Sequence, residues 1–291
     1  MTTILDKLAA HARERTEQAK ARLPLAEIKR QARSLPQGTF AFENALKTPD
    51  IAFICECKKA SPSKGLIAPD FPYVQIAREY EAAGANCISV LTEPKWFLGS
   101  DEYLREIAAA VSIPCIRKDF TVDEYMIYEA KLLGASAVLL ICSILDKQQL
   151  ADYIGVCDEL GLSALVEAHD ESEVGMALNA GARMIGVNNR NLKDFSVDTN
   201  NSRRLRAQIP KAVLFVSESG VKDAADIAKL REIGADAVLI GRPFVPAVYG
   251  GEAEGARLLF ARYKAELIDT MTMCGAHTLD EITEEKVYID K

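Results

Sequence analysis

Gly134-Ala-Ser-Ala-Val-Leu-Leu140 decides the fold, because the same phrase returns three times: Gly84-Ala-Asn-Cys-Ile-Ser-Val-Leu91, Gly181-Ala-Arg-Met-Ile-Gly-Val187 and Gly234-Ala-Asp-Ala-Val-Leu-Ile240. Each phrase reads as a helix-ending glycine followed by a short apolar strand. The glycines stand 50, 47 and 53 residues apart (134 − 84, 181 − 134, 234 − 181), too far for one strand-helix unit and right for two. Four more apolar runs fall between or before them, at 51–57, 113–117, 163–166 and 212–216.

Eight strands over about 190 residues give about 24 residues per unit, near the size of a minimal βα repeat. Helical periodicity fills the intervals, as at 73–83, 123–133, 146–160 and 222–233. Strict alternation of strand and helix predicts a parallel sheet covered by helices, and eight units predict an α/β fold closed as a (β/α)8 TIM barrel. An open doubly wound sheet is disfavoured, since no Gly-x-Gly-x-x-Gly follows the first strand.

Residues 1–48 precede the barrel, carrying amphipathic helical stretches at 4–22 and 25–35 separated by Pro24. This N-terminal helical extension has two readings: a cap on the barrel bottom or a dimer contact, and a lid over the site. The barrel is expected over 49–270. Beyond it, 271–291 forms an acidic tail that includes Asp280-Glu-Ile-Thr-Glu-Glu-Lys286 and is expected to fray.

The composition of the 291-residue chain, 49% hydrophobic and 26% charged, is that of an ordinary globular protein. Its net charge of −7 argues against a nucleic-acid surface and leaves anion binding to a locally basic pocket. No stretch reaches the roughly 18 apolar residues of a membrane span, and no secretory leader opens the chain. The seven cysteines lie mostly inside apolar runs without metal-ligand spacing, so they read as reduced core residues of a cytoplasmic protein.

Active sites of such barrels form at the C-terminal strand ends, and here those ends are charged. The first strand gives Glu56 and Lys58, which face the same way because side chains alternate along a strand. The third ends in Arg117-Lys118-Asp119, the fifth in Glu167, the sixth in Asn188-Asn189-Arg190, the seventh in Ser217-Glu218-Ser219-Gly220 and the eighth in Gly241-Arg242. Any one of these has a dull explanation as a solvated charge or a turn former. Both signs converging on one rim predict paired acids and bases, the material of proton-transfer catalysis. Gly220 and Gly241, with the hydroxyl of Ser219, are placed where barrels commonly bind phosphate through backbone N–H groups. Histidine contributes little: His11 and His277 lie outside the barrel, His169 sits two places beyond Glu167, and no triad or metal site can be assembled.

The runs Glu56-Cys57-Lys58-Lys59-Ala60-Ser61-Pro62-Ser63, Val90-Leu91-Thr92-Glu93 with Lys95-Trp96-Phe97, Arg117-Lys118-Asp119-Phe120, Val166-Glu167, Gly186-Val187-Asn188-Asn189-Arg190-Asn191-Leu192 and Ser217-Glu218-Ser219-Gly220 together resemble the indole-3-glycerol phosphate synthase family. The resemblance covers all eight units and the helical extension. It implies a tryptophan-pathway lyase that converts 1-(2-carboxyphenylamino)-1-deoxyribulose 5-phosphate to indole-3-glycerol phosphate with loss of carbon dioxide and water. It further implies no metal and no organic cofactor, a small-molecule substrate, and a monomer or weak homodimer.

Carried over by the resemblance, Lys118 is the general acid, Glu167 the base or charge stabiliser, and Lys58 the partner of the substrate carboxylate and a participant in dehydration. Glu56 acts beside Lys58, while Asn188, Arg190 and Glu218 order the set. Ser61 stands at the rim, and Phe97, Phe120, Leu139, Ile141 and Leu192 surround the aromatic ring. Ser219, Gly220, Gly241 and Arg242 are the phosphate candidates. Arg242 departs from the family pattern, which usually has a small residue there, and its guanidinium either forks onto the phosphate or turns outward. Met273-Cys274-Gly275 faintly resembles the first strand of phosphoribosylanthranilate isomerase, but only 16 residues follow it. That isomerase, or another sugar-phosphate barrel of the pathway, is the rival enzyme; a non-catalytic phosphate-binding barrel is the rival of another class.

Overall fold

A computed structural model describes residues 3–191, 196–241, 258, 259, 261 and 263. Eight parallel strands close on themselves: β1 (Ala52–Cys57), β2 (Cys87–Leu91), β3 (Cys115–Lys118), β4 (Ala137–Ile141), β5 (Ser163–Ala168), β6 (Met184–Asn188), β7 (Leu214–Glu218) and β8 (Ala237–Ile240). Each pairs with its sequence neighbours, and β1 pairs with β8 to shut the barrel. Ten helices are described: α1 (Ile4–Arg22), α2 (Leu25–Ser34), α3 (Ala41–Ala45), α4 (Tyr73–Ala83), α5 (Asp101–Ala110), α6 (Tyr125–Leu132), α7 (Lys147–Leu160), α8 (Glu171–Asn179), α9 (Asn200–Arg206) and α10 (Ala224–Glu232).

The repeated phrase acts as the helix-to-strand joint. Gly84, Gly134, Gly181 and Gly234 all take positive φ, between 80 and 97°. In each case the following alanine amide, of Ala85, Ala135, Ala182 or Ala235, donates at 3.0 Å to a carbonyl in the last turn of the helix. A left-handed residue at this point satisfies the orphan carbonyls of the helix and turns the chain back toward the barrel, and glycine takes that conformation without a Cβ clash.

Alternation along the strands divides the core in two. Phe53, Cys55, Ile88, Val90, Leu140, Val166, Ile185 and Val238 face the helices, whereas Ala52, Ile54, Cys87, Ile116, Leu139, Leu165, Met184, Val216 and Leu239 fill the barrel. Every residue of these strands except Lys118, Asn188 and Leu214 is buried, as expected of a parallel sheet covered on both faces.

The extension takes part at both ends of the barrel. The five-residue α3, too short for a periodic reading, inserts Phe42 and Leu46 into the interior cluster beneath Ala52, Cys87 and Ala237, closing the N-terminal end. Helix α1 lies on the opposite rim, tied by Arg15 to Asp119 (2.7 Å), Lys20 to Asp123 (2.6 Å) and His11 to Glu93 (3.1 Å). Helix α2 packs on α6, with Lys29 paired to Glu124 at 2.8 Å. The strand boundaries shift from expectation by one to three residues, and β3 reaches Lys118. The acidic tail, Cys274 and His277 lie outside the described residues.

Candidate active site

One cavity at the C-terminal end of the barrel collects Glu56, Lys58, Ser61, Phe97, Lys118, Phe120, Leu139, Ile141, Glu167, Asn188, Arg190, Glu218, Ser219, Gly220 and Gly241. Every described residue to which the family resemblance gave a role therefore lines one cavity. Leu192 and Arg242 lie outside the described residues.

The strand period explains the charged layer. Glu56, Lys118, Glu167, Asn188 and Glu218 sit on the inward positions of β1, β3, β5, β6 and β7, above the apolar filling. Lys58 lies just past the end of β1 and forms an ion pair with Glu56. Lys118 Nζ is 3.1 Å from Glu218 Oε2 and 3.5 Å from Glu167 Oε2. Burial alone would lower its pKa, but Glu218, Glu167 and Glu56 outweigh burial and hold it above the ordinary lysine value.

The two carboxylates beside Lys118 are pushed apart. Burial, together with the neighbouring Glu167 charge, raises Glu218 to about 7. Glu167 is equally buried, yet Lys118, His169 and a hydrogen bond from Asn188 overcome burial and hold it at about 2. Two carboxyl groups driven in opposite directions are the mark of an acid-base site, and Glu167 is the one kept ionised. Gly186, inward-facing on β6, makes this packing feasible: an added Cβ there would overlap Glu218 Oε1 and stand 3.2 Å from Leu165 Cδ1.

The apolar wall consists of Leu91, Leu139, Ile141 and Leu239 with Phe97 and Phe120, whose ring centroids are 6.1 Å apart. Phe97 is held by Glu93, a fully buried carboxylate that accepts the N–H groups of Lys95 (3.0 Å), Trp96 (2.7 Å) and Phe97 (3.0 Å). At the far side, Ser219 and Gly220 take consecutive positive φ angles of 65 and 100°. A Cβ on Gly220 would come within 2.8 Å of Thr199 Cγ2, and one on Gly241 within 2.9 Å of Glu56 Oε2, so neither position has room for a side chain. Asn189 ties the neighbouring loops together, donating to Ser217 Oγ and Ser219 O at 3.0 Å and accepting from Ser202.

Three readings of the sequence need correction. Arg117, grouped with the strand-end charges, points out of the barrel and is almost fully buried among Asp101 (2.8 Å), Glu129 (2.8 Å) and Asp119, because it occupies the alternate face from Lys118. Histidine is not peripheral: His169 Nε2 is 3.3 Å from Glu167 Oε1. The available signal was its place two residues beyond Glu167, on the same face of the chain. Ile4 and Leu8 of α1 also line the cavity. The cap and lid readings of the extension are thus not exclusive, since α3 closes the bottom while α1 borders the site.

The model of the indole-3-glycerol phosphate synthase family matches residues 5–248. The chain is 58% identical over 239 residues to the indole-3-glycerol phosphate synthase of Ruminiclostridium cellulolyticum, covering 82% of this chain and 92% of that protein. It is 50% identical to the protein of the same description from Endomicrobium trichonymphae, over 88% of this chain and 99% of that one. Among solved structures, a mandelate oxidase variant with benzaldehyde superposes with a TM-score of 0.61 at 19% identity, over 88% of this chain and 96% of the other, a likeness of fold alone.

Proposed function

Because this chain belongs to the indole-3-glycerol phosphate synthase family, we propose that its charged rim carries out that family's ring closure, decarboxylation and dehydration. The enzyme is a carboxy-lyase acting on 1-(2-carboxyphenylamino)-1-deoxyribulose 5-phosphate, in tryptophan biosynthesis.

The observation that carries the assignment of roles is Lys118, its Nζ 3.1 Å from Glu218 and 3.5 Å from Glu167 and held protonated between these two carboxylates, whose proton affinities differ. With the substrate's aromatic ring between Phe97, Phe120 and the Leu139–Ile141 wall, Lys118 donates a proton to the ribulose carbonyl oxygen as the ring carbon attacks the carbonyl carbon. Loss of the ring carboxylate as carbon dioxide restores aromaticity. Glu167, ionised, stabilises the charge that develops at the aniline nitrogen and accepts the proton released on dehydration. The hydroxyl formed in the first step needs a proton to leave as water, and Lys58, paired with Glu56, stands across the cavity to supply it or to hold the carboxylate beforehand. General acid-base steps of this kind contribute about 10²–10⁴-fold each.

Ser219, Gly220 and Gly241 are proposed to receive the phosphate, and Asn188 and Arg190 to orient the sugar chain. Arg242, which follows Gly241 in the sequence, is proposed to join them. A monomer or weak homodimer is part of the proposal. The described cysteines are free and buried, and no helix among the described residues is long and apolar enough to cross a membrane; a cytoplasmic location is part of the proposal.

The direct test is turnover of the carboxyphenylamino-deoxyribulose phosphate by the unmodified protein, followed by the rise of indole fluorescence. Steady turnover without added metal or cofactor is expected. No product at micromolar enzyme would overturn the assignment.

A further inference from the structure

Glu167 presents one oxygen to Lys118 and the other to a partly exposed set of side chains that the reaction as written leaves unused. Oε2 is 3.5 Å from Lys118 Nζ, while Oε1 is 3.3 Å from His169 Nε2. The opposite ring nitrogen, His169 Nδ1, is 3.0 Å from Glu173 Oε2 and 3.2 Å from Ser143 Oγ. Glu173 Oε2 also accepts the His169 backbone N–H at 2.8 Å, and its Oε1 accepts the Ser143 hydroxyl at 2.5 Å. Asn201, on α9, donates to the His169 carbonyl at 3.3 Å. The turn after β4 and the first turn of α8 thus hold the ring, while the start of α9 holds the backbone that carries it.

We propose that His169, gripped by Glu173 and Ser143, is the positioning residue of Glu167, fixing one carboxylate oxygen so that the other faces Lys118 and the substrate. This inference rests on the acid-base reading of Glu167 given above. Both ring nitrogens face carboxylates, and an imidazole between two carboxylates is best matched when both nitrogens carry hydrogen. Burial lowers the His169 pKa, but Glu167 and Glu173 more than reverse this and raise it to about 10. The groups facing Glu167 are Lys118, His169, Asn188 and the neighbouring carboxyl of Glu218. Behind His169 a polar cavity is lined by Asp6, Asp170, Arg190, Asp198, Arg203 and Arg204, whose charges are mixed, so the two carboxylates in contact dominate.

A base whose proton affinity is lowered by an adjacent cation should bind a proton more tightly when that cation goes. Removing an opposite charge at this distance shifts a carboxylate upward by about 1–3 units. The test compares kcat and kcat/KM against pH for the wild type, His169→Asn and Glu173→Gln. The expected result is an acid limb of kcat/KM displaced upward by about 1–3 pH units in His169→Asn, by less in Glu173→Gln, with kcat lowered and KM little changed. An acid limb in His169→Asn coinciding with that of an active wild type would overturn the inference while leaving the enzyme assignment intact; an inactive wild type would overturn the assignment itself.

A second readout needs no activity. The chain has three histidines, so the imidazole resonances of wild-type protein can be assigned with His169→Asn and followed from pH 5 to 10. His169 is expected to remain protonated well above neutral pH. Titration of all three histidines near the ordinary histidine value of about 6.5 would refute the clamp whether or not the variants fold.

Discussion

Glu218 sits 3.1 Å from the Lys118 ammonium and still prefers to be protonated up to about 7, because burial and the Glu167 charge together exceed that attraction. An acid whose folded pKa lies above its unfolded value of about 4.5 stabilises the fold fully below the unfolded pKa, and the contribution is lost as pH rises through 7. Glu218→Gln removes the charge and keeps the shape. It is therefore expected to raise the urea midpoint at pH 8 and to change it little at pH 5. Equal urea curves at pH 8 would contradict the strained-carboxylate account. Lower activity is expected at both pH values, a trade of function for stability at a site built from crowded charges.

The alternation of side chains along a strand made most of these residues legible. From sequence alone Glu56 and Lys58 could be placed on one face, and Lys118, Glu167, Asn188 and Glu218 at strand ends on one rim. Arg117 shows where the list was too broad: one position before Lys118 it faces the helix layer, where Asp101 and Glu129 neutralise it. His169 was undervalued for a different reason. Its importance comes from Glu173 on α8 and Ser143 after β4, neighbours that only the folded chain brings together.

Among elements, β6 carries the tightest constraint. Gly186 pairs with Glu167 of β5 and Val216 of β7 in register, and the space its missing side chain leaves is occupied by the Glu218 carboxylate. Gly186→Ala is expected to destabilise the fold by about 1–3 kcal/mol, as overpacking does, and to move Glu218 off Lys118 with a fall in kcat. An unchanged denaturation midpoint would show that the barrel can absorb the methyl group there. The four glycine-led phrases gave the strands and the helix ends, since each joint is local in sequence. The short α3 escaped notice because five residues carry no period, and its role depends on fitting Phe42 into the far end of a barrel that forms later in the chain.

The molecule as a whole separates its two tasks along the barrel axis. Apolar side chains and α3 fill the interior and lower end, while the upper layer gathers lysines and carboxylates around a cavity bordered by α1. A chain with net charge −7 can receive a phosphorylated, carboxylated substrate because Lys58, Lys118, Arg190 and the bare loops at Gly220 and Gly241 converge there. The central claim is that Lys118 is the acid that starts ring closure. Lys118→Met, assayed by indole fluorescence with the carboxyphenylamino-deoxyribulose phosphate at saturation, tests it most directly. The account predicts that kcat falls by at least about 10²-fold while the variant stays folded, and a rate within about tenfold of wild type would contradict it.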